Sequence, residues 1–192
     1  MLGTRRALVA GAFWSVAAAA TAGPYDADMK TFFETSVRPW TGDPVVLNAV
    51  IAQNAKTAGH SQDDIDRLDR EWRDQIGAAS SPLIDRITGH PASEALRARL
   101  VDMRGAVTEI IVMDARGLNV ATSSVPSDYW QGDEAKHRQT YGKGPNAIHL
   151  GEIEYDESSQ KYQAQISFPL LDPETGTPIG AMTVAVDAEE FM

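Results

Sequence analysis

The hydrophobic period of this chain changes once, at Val107, and that change constrains the fold more than any other feature of the sequence. Upstream, apolar residues recur at spacings of three and four, as on one face of a helix. Downstream they fall into short segments divided by turn residues, as in strands. Helices followed by strands, rather than alternating with them, build an α+β domain around an antiparallel sheet.

Four helices are expected before the change. Residues 45–58 have Asp43 and Pro44 as a cap and first-turn pair and Gly59 as a stop. Residues 63–77 place Ile65, Leu68, Trp72 and Ile76 on one stripe, with Asp63, Asp64 and Asp66 in the first turn, where the helix dipole favours acid. A short helix is expected over 82–88, and a longer one from position 91 or 92 to 104 with Leu96, Leu100 and Met103 aligned. Five strands follow, over 107–113, 118–123, 148–155, 162–171 and 179–187. The first two are joined by the type I turn Asp114-Ala115-Arg116-Gly117, and the last three by turns at 156–159 and 172–176. Between the second and third strands lies an aromatic-rich connection, 124–146, with a helix expected over 133–141 before Gly142, Gly144 and Pro145.

The amino terminus is a different kind of segment. Arg5 and Arg6 precede an apolar run over 7–20, too short for a comfortable membrane span, and the small-x-small site Ala20-Thr21-Ala22 follows it. Residues 1–22 therefore read as a cleavable signal peptide, with the mature chain starting at Gly23 in the periplasm. An uncleaved anchor is disfavoured because Ala-rich runs insert poorly. Thr4-Arg5-Arg6 leaves export of the folded chain by a twin-arginine route open beside the ordinary unfolded route.

Loss of the leader removes two of 17 basic residues and leaves 15 against 27 acidic ones, a net charge of −12 on 170 residues. That length suits one domain, in which 23–106 is the helical region and 107–192 the sheet. The charge disfavours nucleic acid and anionic membrane surfaces as partners. No second apolar segment reaches membrane length, so no stable membrane insertion is expected after processing. With no cysteine in the chain, disulfides, thiolate nucleophiles and Cys-based metal sites are excluded.

Three stretches resemble the extracytoplasmic PAS-like sensor domains of the Cache, or PDC, family. They are the strand-turn-strand from Ile110 through Asp114-Ala115-Arg116-Gly117 to Ser123, the segment Asp128-Tyr129-Trp130-Gln131-Gly132-Asp133-Glu134, and the stretch from Tyr162 to Asp187, in which Pro178-Ile179-Gly180-Ala181-Met182-Thr183-Val184-Ala185-Val186-Asp187 resembles the closing strand. Together they cover roughly residues 107–190. The resemblance implies a five-stranded antiparallel PAS-like sheet, covered on one face by the preceding helices. It also implies binding of a small metabolite, such as an amino acid or carboxylate, and a role in signalling. Family members usually sit between membrane helices, whereas this chain is expected to act as a stand-alone periplasmic form passing its message to a membrane-bound kinase or receptor. Only fragments of the family's Tyr/Arg/Trp/Asp amino-acid signature are present.

The residues offer their own candidates for a ligand site. Tyr129, Trp130, Asp133, Lys136, Arg138 and Tyr141 gather aromatic walls and cations in an otherwise acidic chain, which suits a small anionic or zwitterionic ligand. On a helix over 133–141, Asp133, Lys136 and His137 would share a face, and so would Arg138 and Tyr141. Gln165 belongs to the polar face of its strand with Lys161, Gln163 and Ser167, and Asp187 closes the last strand where it could receive an ammonium. The alternative is that Asp133 caps the helix, the charges are solvated and Trp130 fills the core. Histidines at 60, 90, 137 and 149 lack metal-ligand spacing, and no nucleophile elbow, phosphate loop or dinucleotide motif occurs. A non-enzymatic role without metal or cofactor is expected. The competing function is a protein-interaction module without a small ligand, accessory to a membrane kinase or transporter.

Overall fold

The structure, a computed structural model, describes residues 23–156 and 160–191. The leader expected over 1–22 lies outside the described residues, as do positions 157–159 of the expected turn.

Helices form where caps and stripes call for them. Helix α1 (Asp26–Phe32) runs on through one π turn (Phe33–Val37) into a 3-10 segment (Arg38–Gly42). Helix α2 (Pro44–Thr57) begins with the Asp43 carboxylate accepting the Val45 N–H at 2.9 Å. Helix α3 (Gln62–Gln75) opens with a reciprocal capping box between Ser61 and Asp64. Helices α4 (Pro82–Thr88) and α5 (Pro91–Asp102) complete the layer. The expected stripe on α3 needs one correction. Ile65 and Trp72 are buried, but Ile76 is 47% exposed, because the helix ends at Gln75 and the Ile76 backbone turns extended.

Six strands make one antiparallel sheet: β1 (Val107–Asp114), β2 (Asn119–Thr122), β3 (His149–Leu150), β4 (Glu154–Asp156), β5 (Lys161–Leu171) and β6 (Pro178–Asp187). Their order is β2-β1-β6-β5-β3, with β4 also on β5. The strand expected over 148–155 is thus two pieces along the same edge. Leu150 pairs with Ile166 and Glu154 with Gln163, so this strand spends four steps where β5 spends three. The extra residue is a bulge, and it interrupts the ladder.

The sheet has one dry face. Ile110, Val112, Ile166, Phe168, Met182 and Val184 pack against Phe33, Val46, Val50 and Leu96 of the helical layer. Burying each such side chain stabilises the fold by about 1.5–3 kcal/mol. The other face is mixed. Cross-strand register sets Glu109 beside Ala185 and Ala185 beside Gln165, with Ile111, Thr183 and Ser167 in the next row. Thr183 donates to the Ser167 hydroxyl at 3.0 Å, satisfying two hydroxyls that are both buried. Helix α6 (Ala135–Arg138), in the β2–β3 connection, lies on this side, near β5 and β6.

Candidate functional site

The β1–β2 turn organises the connection that covers the mixed face. Asp114 is fully buried, and its Oδ1 accepts the Arg116 and Leu118 N–H groups at 2.8 and 3.0 Å. Its Oδ2 receives Thr57 at 2.8 Å and Gln53 at 3.2 Å, tying α2 to the turn. The connection then runs beside β2: the Asn119 N–H donates to the Tyr129 carbonyl at 3.0 Å and the Gln131 N–H to the Gly117 carbonyl at 2.8 Å. This close approach needs glycine on both sides. Gly117 has φ of 82°, and a Cβ there would lie 2.4 Å from Gly132 Cα. From the other side Asp69 of α3 accepts the Tyr129 and Trp130 N–H groups at 3.0 and 3.1 Å.

Held in this way, the connection walls a cleft of about 620 Å³ against the mixed face of the sheet. Thr108, Glu109, Gln163 and Gln165 form the sheet side, Ser124–Ser127 one wall, and Gln131 and Lys136 another. Its polar groups are already oriented. Ser124 donates to Glu109 at 2.6 Å and Thr108 to the Gln163 amide oxygen at 2.6 Å. The Lys136 ammonium, on a side chain only 11% exposed, meets Gln131 Oε1 and Glu134 Oε2, both at 3.0 Å. An ammonium has three donors, so one remains for an incoming acceptor. A second cleft, of about 590 Å³, shares Gln163 and Gln165 and is lined by Glu134, Glu152 and Glu154. The Lys136–Glu134 pair has one member in each cleft.

The eight residues expected at a ligand site are not brought to one place. Lys136 and Gln165 line the main cleft. Tyr129 is instead 2% exposed among the helices, stacked on Trp72 at 5.4 Å, and burial pushes its phenol up to about 12. Trp130 is half-buried over Gly132 and donates its indole N–H to the Arg116 carbonyl at 2.8 Å. Tyr141 stacks on His137 at 5.2 Å and packs against Ile111, Met113 and Ala181. Asp187 already holds an ammonium, that of Lys161, whose hydrogen bond keeps the Asp187 carboxyl below its usual range.

Asp133 and Arg138 are exposed, and Arg138 reaches the Asp133 carbonyl at 3.4 Å. The helix expected over 133–141 is the single turn α6, which Asp133 precedes. The hairpin holds Gln131 by its backbone and so delays the helix, and Gly142, at φ of 76°, closes the segment. His137 is buried and its Nε2 lies 3.1 Å from the Asp114 carbonyl; burial lowers its pKa.

Sequence reasoning missed Thr108, Glu109, Ser124 and Gln131. Glu109 could have been found by alternation, since Glu109, Ile111 and Met113 share a face opposite Ile110 and Val112. Gln131, flanked by Trp130 and Gly132, carried no such signal.

No protein-family model matches the chain, and no curated protein does. Solved structures with a partial likeness to the chain exist. One is the sensor domain of the Vibrio cholerae histidine kinase DctB, at 12% identity and a TM-score of 0.46, with 85% of this chain and 52% of that one covered. Another is the extracellular domain of the putative histidine kinase rpHK1S-Z16, at 20% identity and a TM-score of 0.43, covering 84% and 60%. A third is the sensory domain of the Campylobacter jejuni chemoreceptor Tlp3 with isoleucine bound, at 12% identity and a TM-score of 0.41, covering 88% and 66%. The chain therefore spans between half and two thirds of the length of these domains. The likeness is partial, and the structures that show it are sensor or extracellular domains of histidine kinases and a chemoreceptor.

Proposed function

We propose that this protein is a non-enzymatic, periplasmic sensor module that binds a small amino-acid-like or carboxylate metabolite in the cleft between the mixed sheet face and the 124–146 connection. The observation that carries this reading is the presence of one cation, Lys136, and one anion, Glu109, among hydroxyl and amide groups in a single walled cleft. A ligand carboxylate would take the remaining Lys136 N–H, and a ligand ammonium would meet Glu109. Charge-assisted bonds of this kind are stronger than neutral ones. Ligand contact with both the connection and the sheet favours the arrangement in which the two are clamped, and a membrane-bound kinase or receptor would read that bias.

A thermal-shift screen of amino acids, carboxylates and amines tests the reading. A ligand at a hundred times its dissociation constant adds about 2.7 kcal/mol, or roughly 5–10 °C in a domain of this size. The shift should vanish in Lys136→Gln and Glu109→Gln. If no compound raises the midpoint at millimolar concentration, or if the shift survives both substitutions, the cleft is not the site.

A further inference from the structure

A smaller cavity, of about 250 Å³, opens on the opposite side of the sheet, among α2, α3, α4 and β2. Lys56, His60, Arg86 and His90 line it with the Tyr129 phenol, and among the described residues no carboxylate does. In a chain with 27 acidic and 17 basic residues, an arbitrary hollow would carry acid instead.

The acids nearby are already engaged. Asp114 serves Thr57, Gln53 and two backbone N–H groups. Asp69 serves Tyr129, Trp130 and Arg73, and Asp64 is taken up by Ser61. Neither Lys56 nor Arg86 forms an ion pair among the described residues.

The donors are also preset. His90 Nδ1 accepts the Ala92 N–H at 3.1 Å, which places the proton of the neutral ring on Nε2. Tyr129 is buried in the wall, where the Arg86 charge opposes the upward push of burial on its phenol. A guanidinium and an ammonium only donate, so Arg86 and Lys56 supply donors to the cavity and no acceptor.

We propose that this cavity binds a small oxyanion, a carboxylate or phosphate group, through Arg86, Lys56 and the Tyr129 hydroxyl. Its volume lies below the usual range for drug-sized ligands and suits one such group with few further atoms. The site is separate from the main cleft and does not depend on that cleft holding a ligand.

Titration of the purified chain with inorganic phosphate, and separately with acetate, followed by NMR, tests the proposal. At least one anion should shift the Arg86 side-chain and His90 ring signals saturably, while sodium chloride at matched ionic strength should not. Arg86→Gln should weaken binding at least about tenfold, the loss of one charge-assisted bond, and Lys136→Gln should leave it unchanged. Both Lys56 and Arg86 are exposed, so Lys56→Gln is a second variant that keeps the fold if Arg86→Gln does not. Linear, unsaturated shifts, an equal response to chloride, or wild-type affinity in the folded variant would overturn it.

Discussion

Replacing Asp69 with alanine removes the acceptor that fixes the connection to α3. Its Oδ1 takes the Tyr129 and Trp130 N–H groups at 3.0 and 3.1 Å, and the residue is only 7% exposed. Hydrogen bonds to a charged acceptor contribute about 1.5–3 kcal/mol each, and truncation leaves both donors without a partner. The Oδ2 bond to Arg73 adds little, because the Arg73 side chain is 56% exposed and solvent screens the pair. Asp69→Ala should therefore cost about 3–5 kcal/mol, a large share of the 5–15 kcal/mol typical of a domain. Asp69→Asn keeps an oxygen in place and should cost about 1 kcal/mol. Urea unfolding followed by circular dichroism measures both, and hydrogen exchange at Tyr129 and Trp130 locates the effect. Equal costs for the two variants, or undiminished protection of those two amides in the alanine variant, would refute the argument.

Two further predictions concern the turn and the buried histidine. Gly117→Ala should lower stability by at least about 2 kcal/mol, since left-handed strain adds to a backbone collision. Gly77→Ala, at φ of 74° but in open space, should cost only about 1–2 kcal/mol; comparable thermal midpoints would show that the approach of Gly117 to Gly132 is not tight. Burial holds the His137 pKa below the ordinary imidazole value of 6.5, with the Asp114 carbonyl and charge opposing. A depressed pKa means the unfolded chain takes the proton first, so the stability contributed is full above pH 6.5 and is lost as pH falls through the folded value. Midpoints measured from pH 7.5 to 5 should decline, and His137→Gln should flatten the decline; an identical slope in the variant would place the titration elsewhere.

Much of the fold was legible because local rules and tertiary packing agree. Asp43-Pro44 starts α2, Pro82 starts α4, and the Asp114–Gly117 turn joins β1 and β2, each by chemistry contained within a few residues. The connection was not legible for the opposite reason. Whether residues 128–134 coil or extend is decided by Asp69, sixty positions upstream, and by Gly117 against Gly132. Tyr129 and Trp130 look like ligand-facing aromatics in isolation, and one is drawn under α3 by stacking on Trp72. The side of the sheet on which Gln165 lies could be read in advance, because alternate residues of a strand keep to one face.

The bulge between β3 and β4 also governs how copies of this chain can meet. An open sheet margin with a long, regular row of free N–H and C=O groups invites a second strand to zip alongside. Among the described residues, one margin here is two short ladders thrown out of step by a residue. The other is the four-residue β2, screened by the segment at Tyr129 and Trp130 through the Leu118–Trp130 bridge. Neither margin among the described residues offers a long regular template, which guards the fold against lateral strand-to-strand pairing.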